Sequence, residues 1–194
     1  MSESANKKGR LIILSAPSGA GKTTIARHLL KSDLKLIFSI SACSREKREG
    51  EKDGVDYYYL SPSEFRNYID QHEFLEWEEV YHDHYYGTLK REVSRIIDSG
   101  HNVLFDVDVV GGLNIKKFYG DEALAIFVKP PDVKELEKRL HNRSSDSREK
   151  IQMRLDKALH ELGFADKFDV IIINDDLESA LMDAEKKVSS FLKA

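Results

Sequence analysis

The stretch that most limits what this chain can fold into is Leu11-Ile12-Ile13-Leu14-Ser15-Ala16-Pro17-Ser18-Gly19-Ala20-Gly21-Lys22-Thr23-Thr24. Its four leading apolar residues read as a buried strand, its glycines as a tight turn, and Thr24 to Lys31 as a helix. A strand that passes into a helix through a glycine turn points backbone N–H groups inward and aims the positive end of the helix dipole at the space between. Such a cradle suits phosphate. Residues Ala16, Pro17, Ser18, Gly19, Ala20, Gly21, Lys22, Thr23 and Thr24 are therefore expected to hold a nucleoside triphosphate. Lys22 would reach its β- and γ-phosphates and the Thr23 hydroxyl would ligate Mg²⁺. The pattern G-x-x-x-x-G-K-[ST] has glycine where Ala16 stands, a small change if φ there is negative and a costly one if not. The plainer alternative is a glycine-rich turn with no ligand.

Apolar runs recur at Leu11–Leu14, Val103–Val107, Ala123–Val128 and Val170–Ile173, with helical spacing between them. Leu89 to Ile97 reads as a helix ending at Gly100, and Asp132, after Pro130-Pro131, caps a helix over Val133–Leu140. Near-continuous apolar strands alternating with helices predict an α/β fold with a parallel sheet covered on both faces. The chain of 194 residues fits one core with insertions. Residues 1–9 read as a frayed tail without the apolar core of a signal peptide, and nowhere does an apolar run approach the length of a membrane span. One cysteine, Cys43, allows no internal disulfide. A cytoplasmic protein with no membrane partner is expected. The formal net charge of −4 speaks against a nucleic-acid partner and requires locally focused positive charge wherever an anionic substrate binds.

Two stretches depart from the alternation. Ser39 to Thr88 is rich in Tyr, Glu and Gly and reads as short strands plus one helix, opened by the capping box Ser61-Pro62-Ser63-Glu64. Arg139 to Arg154 is highly charged and helix-compatible. The first is expected to be a substrate-binding subdomain and the second a mobile lid. Asp106 follows Val103-Leu104-Phe105 at the carboxyl end of a strand, where parallel α/β sheets collect ligands and where a carboxylate can hold Mg²⁺. Asp108, two positions on, would face the same crevice if the strand continued; the alternative is a pair of aspartates capping the next helix.

The spacing Ser41-x-x-x-Arg45-x-x-Arg48-x-Gly50-Glu51-x-x-Gly54-x-x-Tyr57 resembles the acceptor-nucleotide segment of guanylate kinases. The resemblance continues through Phe74-Leu75-Glu76-Trp77-Glu78-Glu79-Val80, Tyr85-Tyr86-Gly87-Thr88, Asp106-Val107-Asp108, the Arg143 to Arg154 spacing and Ile173-Asn174-Asp175-Asp176, covering nearly the whole chain from residue 10. It implies a P-loop NTPase fold whose parallel sheet is flanked by helices, with an inserted GMP-binding subdomain and a helical lid. The implied divisions are core at 1–38, 91–131 and 157–194, GMP-binding subdomain at 39–90 and lid at 132–156. The implied activity is transfer of the γ-phosphoryl group of ATP, with Mg²⁺, to GMP and dGMP, in guanine-nucleotide precursor supply and recycling, by a monomer or a homo-oligomer.

Residue by residue, the resemblance places Arg45 and Arg48 on the GMP phosphate, gripped bidentately by planar guanidinium groups, with the hydroxyls of Tyr57 and Tyr86 alongside. Glu76 would accept from guanine N1–H and the 2-amino group, with Ser41 and Thr88 near O6 and Asp108 at the amine. Adenine offers no such donors, so a site of this kind can discriminate by about 10⁴ to 10⁵. Arg143 and Arg154 would reach the transferring phosphoryl group, Asp106 and Thr23 the metal, and Asn174 the ATP site. Lys22, Arg45, Arg48, Arg143 and Arg154 nearly balance the roughly −4 charge of Mg·ATP and GMP together.

The chain departs from the family pattern at Val110, in place of a usual glutamine, at Cys43-Ser44, where paired threonines are common, and at Ser144, in place of a glycine. Tyr81-His82-Asp83-His84 is one residue longer than usual and reads as a loop: His82 and His84 have no third ligand in register for a metal. Two alternatives stay open, a guanylate-kinase-like scaffold domain that binds peptides and a P-loop kinase with another acceptor. Scaffold domains usually lack an intact ATP loop and sit beside other modules, for which this chain has no room.

Overall fold

The computed structural model describes residues 9–143 and 148–194, except for the side chains of residues 142, 143 and 148. In chain order its strands are β1 (Leu11–Ser15), β2 (Leu36–Phe38), β3 (Ala42–Cys43), β4 (Tyr58–Tyr59), β5 (Phe74–Tyr81), β6 (His84–Leu89), β7 (Asn102–Asp106), β8 (Ala123–Lys129) and β9 (Val170–Ile173). Its α-helices are α1 (Lys22–Lys31), α2 (Pro62–Asp70), α3 (Lys90–Asp98), α4 (Val109–Tyr119), α5 (Val133–Arg143), α6 (Arg148–Leu162) and α7 (Leu177–Lys193).

Five strands form an all-parallel sheet in the order β2-β7-β1-β8-β9. Its central strands are apolar on both faces because both faces are covered. Ile12 and Leu14 pack with Ile25 and Leu29 of α1 and Ala184 of α7, whereas Leu11 and Ile13 pack with Val93 and Ile96 of α3 and Ile115 of α4. The α/β reading with helices on either side of a parallel sheet therefore holds. The chain first builds outward from β1 to β2 and β7, then crosses to β8 and β9, so the sheet's order reverses at β1. A crevice opens at the carboxyl ends of strands at such a point. Leu14 pairs in register with Asp106, which sets that carboxylate beside the start of the glycine turn.

A second, mixed sheet, β4-β3-β6-β5, is built by the Tyr-rich stretch. It closes over its own core of Ala42, Phe65, Phe74, Tyr85 and Leu89, with the Phe65 and Phe74 rings stacked at 4.3 Å. Phe65 comes from α2, whose start is fixed by the capping box read from the sequence: the Ser61 hydroxyl accepts from the Glu64 N–H, and the Glu64 carboxylate accepts from the Ser61 N–H at 2.7 Å. α5 and α6 pack together around Leu136, Leu140, Ile151 and Ala158, a small core of their own. Asp132 caps α5 by accepting from the Glu135 N–H at 2.7 Å.

Two expectations change. β2 is a strand that sequence periodicity did not separate, because three residues are too few to show a period. β7 stops at Asp106, so Asp108 lies off the strand and caps α4, accepting from the Gly111 N–H at 2.8 Å. The tail over residues 1–8 and the position of Ser144 lie outside the described residues. No helix among the described residues is long and apolar enough to cross a membrane.

Candidate active site

A cleft of about 870 Å³ lies over the glycine turn, lined by Ala16–Gly19, Lys22, Thr23, Asp106, Asp108 and Arg154 among others. The turn is left-handed at Gly19 (φ 88°) and Gly21 (φ 96°), conformations that a side chain resists. Ala16 is not among the positive-φ residues, so alanine is unstrained where the pattern has glycine. A Cβ at position 21 would lie 2.2 Å from Asn174 Nδ2, which instead donates to the Ala20 carbonyl at 2.7 Å. Asn174, buried just past β9, thus props the loop from behind, and it is Asp176 that caps α7. Gly21 brings no side-chain cap to α1, which leaves the first N–H groups of that helix for an anion. Lys22 Nζ bonds to Asp106 at 2.7 Å and to the Val107 carbonyl at 2.8 Å. Thr23 is exposed to the cleft on the first turn of α1; Thr24, also exposed, is not among its lining residues, and Ala20 is fully buried.

A smaller cleft of about 230 Å³ opens beside it, lined by Ser41, Tyr57, Glu76, Glu78 and Tyr86 together with Asp106–Asp108. Glu76, on β5, accepts from Thr88 Oγ1 at 2.5 Å across the β5–β6 ladder. Burial pushes its carboxyl up to about 7, with the nearby Asp108 and Glu78 charges adding and the Thr88 hydroxyl opposing. A Cβ on Gly111 would meet oxygens of both Asp108 and Glu76 at 2.8 Å, so only glycine lets the two carboxylates converge there. Sequence reading assigned Gly111 nothing, although the G that follows Val110 carried the signal.

Arg45 departs from its expected geometry. Both arms of its guanidinium bind Glu51, each at 2.7 Å, and its Nε donates to Tyr86 Oη at 3.2 Å. The fork expected to grip a phosphate bidentately is occupied, because Glu51 lies six residues on in the same loop. Arg45, followed by the Arg48 N–H at 2.9 Å, holds the Glu51 carboxyl down near 2, and Tyr59 Oη, a third partner, donates at 2.7 Å. The Arg45 guanidinium also sits 5.1 Å from the Tyr57 ring centre, and Tyr57 meets Tyr86 edge-on at 5.9 Å. The Arg48 side chain is exposed and lines neither cleft. Glu51, which fixes this cluster, was visible in the sequence only as a letter of the motif.

Among the described residues the two clefts share four in their linings, Asp106, Val107, Asp108 and Lys157. Asp106 and Asp108 thus do face one crevice, although a cap and not strand alternation puts the second there. Arg154 lines the larger cleft from α6; Arg143 ends α5, and its side chain lies outside the described residues. Cys43 is buried in β3 and burial pushes its thiol up, the reverse of an activated nucleophile. On the β5–β6 turn, His82 is joined by Glu79 and Asp83, their ligand atoms within 4.8 Å of one another, and not by His84. The sequence showed no third group because the partners are acids, Glu79 near the end of β5 and Asp83 on the turn.

A family model described as "Guanylate kinase" matches residues 8–193. A guanylate kinase of Bacteroides fragilis is 55% identical over 185 residues, covering 95% of this chain and 91% of the relative. One from Porphyromonas gingivalis is 53% identical over 184 residues, covering 94% and 98%. The crystal structure of guanylate kinase from Anaplasma phagocytophilum superposes with a TM-score of 0.75 at 26% identity, over 96% of this chain and 88% of that one. On fold, on the junction of its two clefts and on these matches, the chain belongs to the guanylate kinase family.

Proposed function

We propose that this protein transfers the γ-phosphoryl group of ATP to GMP, and to dGMP, giving ADP and GDP. The observation that carries the reading is the joining of a phosphate cradle and a smaller, carboxylate-lined cleft over Asp106–Asp108. ATP takes the larger cleft, its phosphates on backbone N–H groups of residues 18–23 and on Lys22. GMP takes the smaller. There Glu76 accepts from guanine N1–H and the 2-amino group, Asp108 assists at the amine, and Ser41 and Thr88 lie toward O6.

The phosphate of GMP meets Tyr57, Tyr86, Arg45 and, by loop movement, Arg48. Arg45 keeps its bond to Glu51 and offers charge and its remaining N–H, a fixed donor in place of a free fork. Lys22 lies within reach of both Asp106 and the cradle, so it can exchange the carboxylate for a phosphate oxygen. Thr23 and Asp106 are oxygen donors facing one cleft, a set that suits Mg²⁺ shared with phosphates. The ion, when bound, neutralises charge on the β- and γ-phosphates.

No covalent enzyme intermediate is needed. A GMP phosphate oxygen bonds to the γ-phosphorus as the bridging β–γ bond breaks, and the electron pair leaves on ADP. The chain contributes alignment and cations, Arg154 and Arg143 among them. Residues 39–90 act as the GMP-binding subdomain and 132–156 as the lid that excludes water, while 1–38, 91–131 and 157–194 form the core. A cytoplasmic enzyme fits the buried thiol and the absence, among the described residues, of a membrane-spanning helix.

An ADP-release assay across GMP, dGMP, AMP, CMP and UMP tests this. Turnover with GMP and dGMP, and a preference over AMP on the order of 10⁴, is expected. Release of ADP with none of the five refutes it.

A further inference from the structure

We infer that Lys157 is a further catalytic residue, its ammonium group meeting the transferring phosphoryl group where the two clefts join; this rests on the phosphotransfer reading above. Of the four described residues that line both clefts, two are aspartates, one is valine, and Lys157 is the cation. Two polyanions brought together over two carboxylates repel each other and the floor beneath them. Positive charge is needed at that junction, and of the cations read from the sequence whose side chains are described, none lines both clefts. Lys22 is paired with Asp106, Arg45 with Glu51, and Arg48 stands on an exposed loop.

α6 supplies what is missing. Arg154, Lys157 and Glu161 recur at spacings of three and four, which places them on one face of the helix, and all three line the larger cleft. Glu161 is buried at the base of this face. Lys157 Nζ lies 3.9 Å from Glu161 Oε1, within Coulombic reach but beyond a hydrogen bond, and its side chain is 62% exposed. Lys157 thus lines the junction with its ammonium held only loosely, by the Glu161 charge at 3.9 Å. A flexible four-carbon stem ending in three donors suits a group that must follow a moving phosphoryl.

In the transfer, the new bond forms between the acceptor phosphate oxygen and the γ-phosphorus, the bond to the bridging oxygen breaks, and ADP departs with the electron pair. Lys157 gives up no proton; it donates a hydrogen bond to a non-bridging oxygen on which charge rests throughout. Its contact is with the assembled pair and not with either nucleotide alone.

Lys157→Ala, Lys157→Gln and Lys157→Arg are compared with the wild type in steady-state turnover of ATP and GMP. Melting temperature is measured alongside, as is affinity for ADP, for GMP and for a bisubstrate in which five phosphates join adenosine to guanosine. The Ala and Gln variants are expected to lose about 10²-fold in kcat with KM for each substrate and melting temperature nearly unchanged, and to weaken for the bisubstrate far more than for ADP or GMP. The Arg variant is expected to recover most of the rate. An Ala variant within about threefold of wild-type kcat, or an Arg variant as impaired as Ala, overturns the role of Lys157. A wild type that transfers to no acceptor overturns the phosphotransfer reading itself.

Discussion

In the larger cleft, the phosphate cradle comes from one continuous stretch, residues 16–23, with the Asn174 amide behind it. In the smaller cleft the corresponding groups come from separated segments, Ser41, Tyr57, Glu76, Tyr86 and Asp108, and they are carboxylates and hydroxyls. The first site is set by local backbone geometry, so Ala16 can stand in for glycine without strain. The second is set by desolvation and by carboxylates crowded around Gly111, so its properties depend on single side chains and on pH.

The sharpest test of the backbone-built side is Lys22→Ala. It is expected to lower kcat by about 10³-fold or more while leaving the melting temperature within a few degrees. Turnover within a few-fold of wild type would remove Lys22 from the chemistry. On the side-chain-built side, Glu76→Gln is expected to reduce the preference for GMP over AMP by about 10²-fold, with KM for ATP unchanged. An unchanged preference would place base recognition elsewhere.

The two sides also part in their response to pH. Glu76 titrates near 7 in the unliganded protein, and guanine binding calls for its charged form. GMP affinity should therefore fall as pH drops below about 7, by up to about tenfold per unit, while ADP affinity stays flatter. The GMP phosphate titrates in the same range, so the ratio of wild type to Glu76→Gln isolates the residue; a ratio independent of pH between 5 and 8 contradicts the assignment.

Stability carries the opposite sign. A carboxyl raised from 4.5 to about 7 binds its proton more tightly when folded, so the unliganded protein loses stability through Glu76 as pH rises between those values. Glu76→Gln should be the more stable protein at pH 8, by about 3 kcal/mol, and nearly equal to wild type at pH 4.5. Denaturant titrations at the two pH values read this directly. The smallest effect is expected of Asn174→Ala. Loss of its buried bond to Ala20 should cost about 1–3 kcal/mol and raise KM for ATP a few-fold, leaving GMP untouched.

The same contrast decides how much was legible in the sequence. The strand, the glycine turn and the Lys-Thr pair lie within fourteen residues, and their chemistry follows from that order. The capping box at Ser61–Glu64 and the cap at Asp132 were readable for the same reason: both partners lie three residues apart. The smaller cleft brings together positions 41 to 108, so Glu76, Thr88 and Tyr86 were reachable only through resemblance to a family. What escaped was set by packing across the fold. Glu51 occupies the fork of Arg45, Gly111 clears space for two carboxylates and Lys157 reaches the junction from a later helix; Asn174, expected at the ATP site, acts by propping the loop from 154 residues away. No local pattern marks such roles, because each depends on how the chain packs, from the loop that returns Glu51 to Arg45 to the contact between Asn174 and Ala20.

The most direct measurement is a crystal structure with ADP and GMP bound together. The predicted result is guanine on Glu76 and the acceptor phosphate beside Arg45, Tyr57 and Tyr86, facing the donor phosphates across Asp106–Asp108. A structure in which GMP binds away from Glu76, with Arg45 turned to solvent and no phosphate between the two clefts, would contradict it.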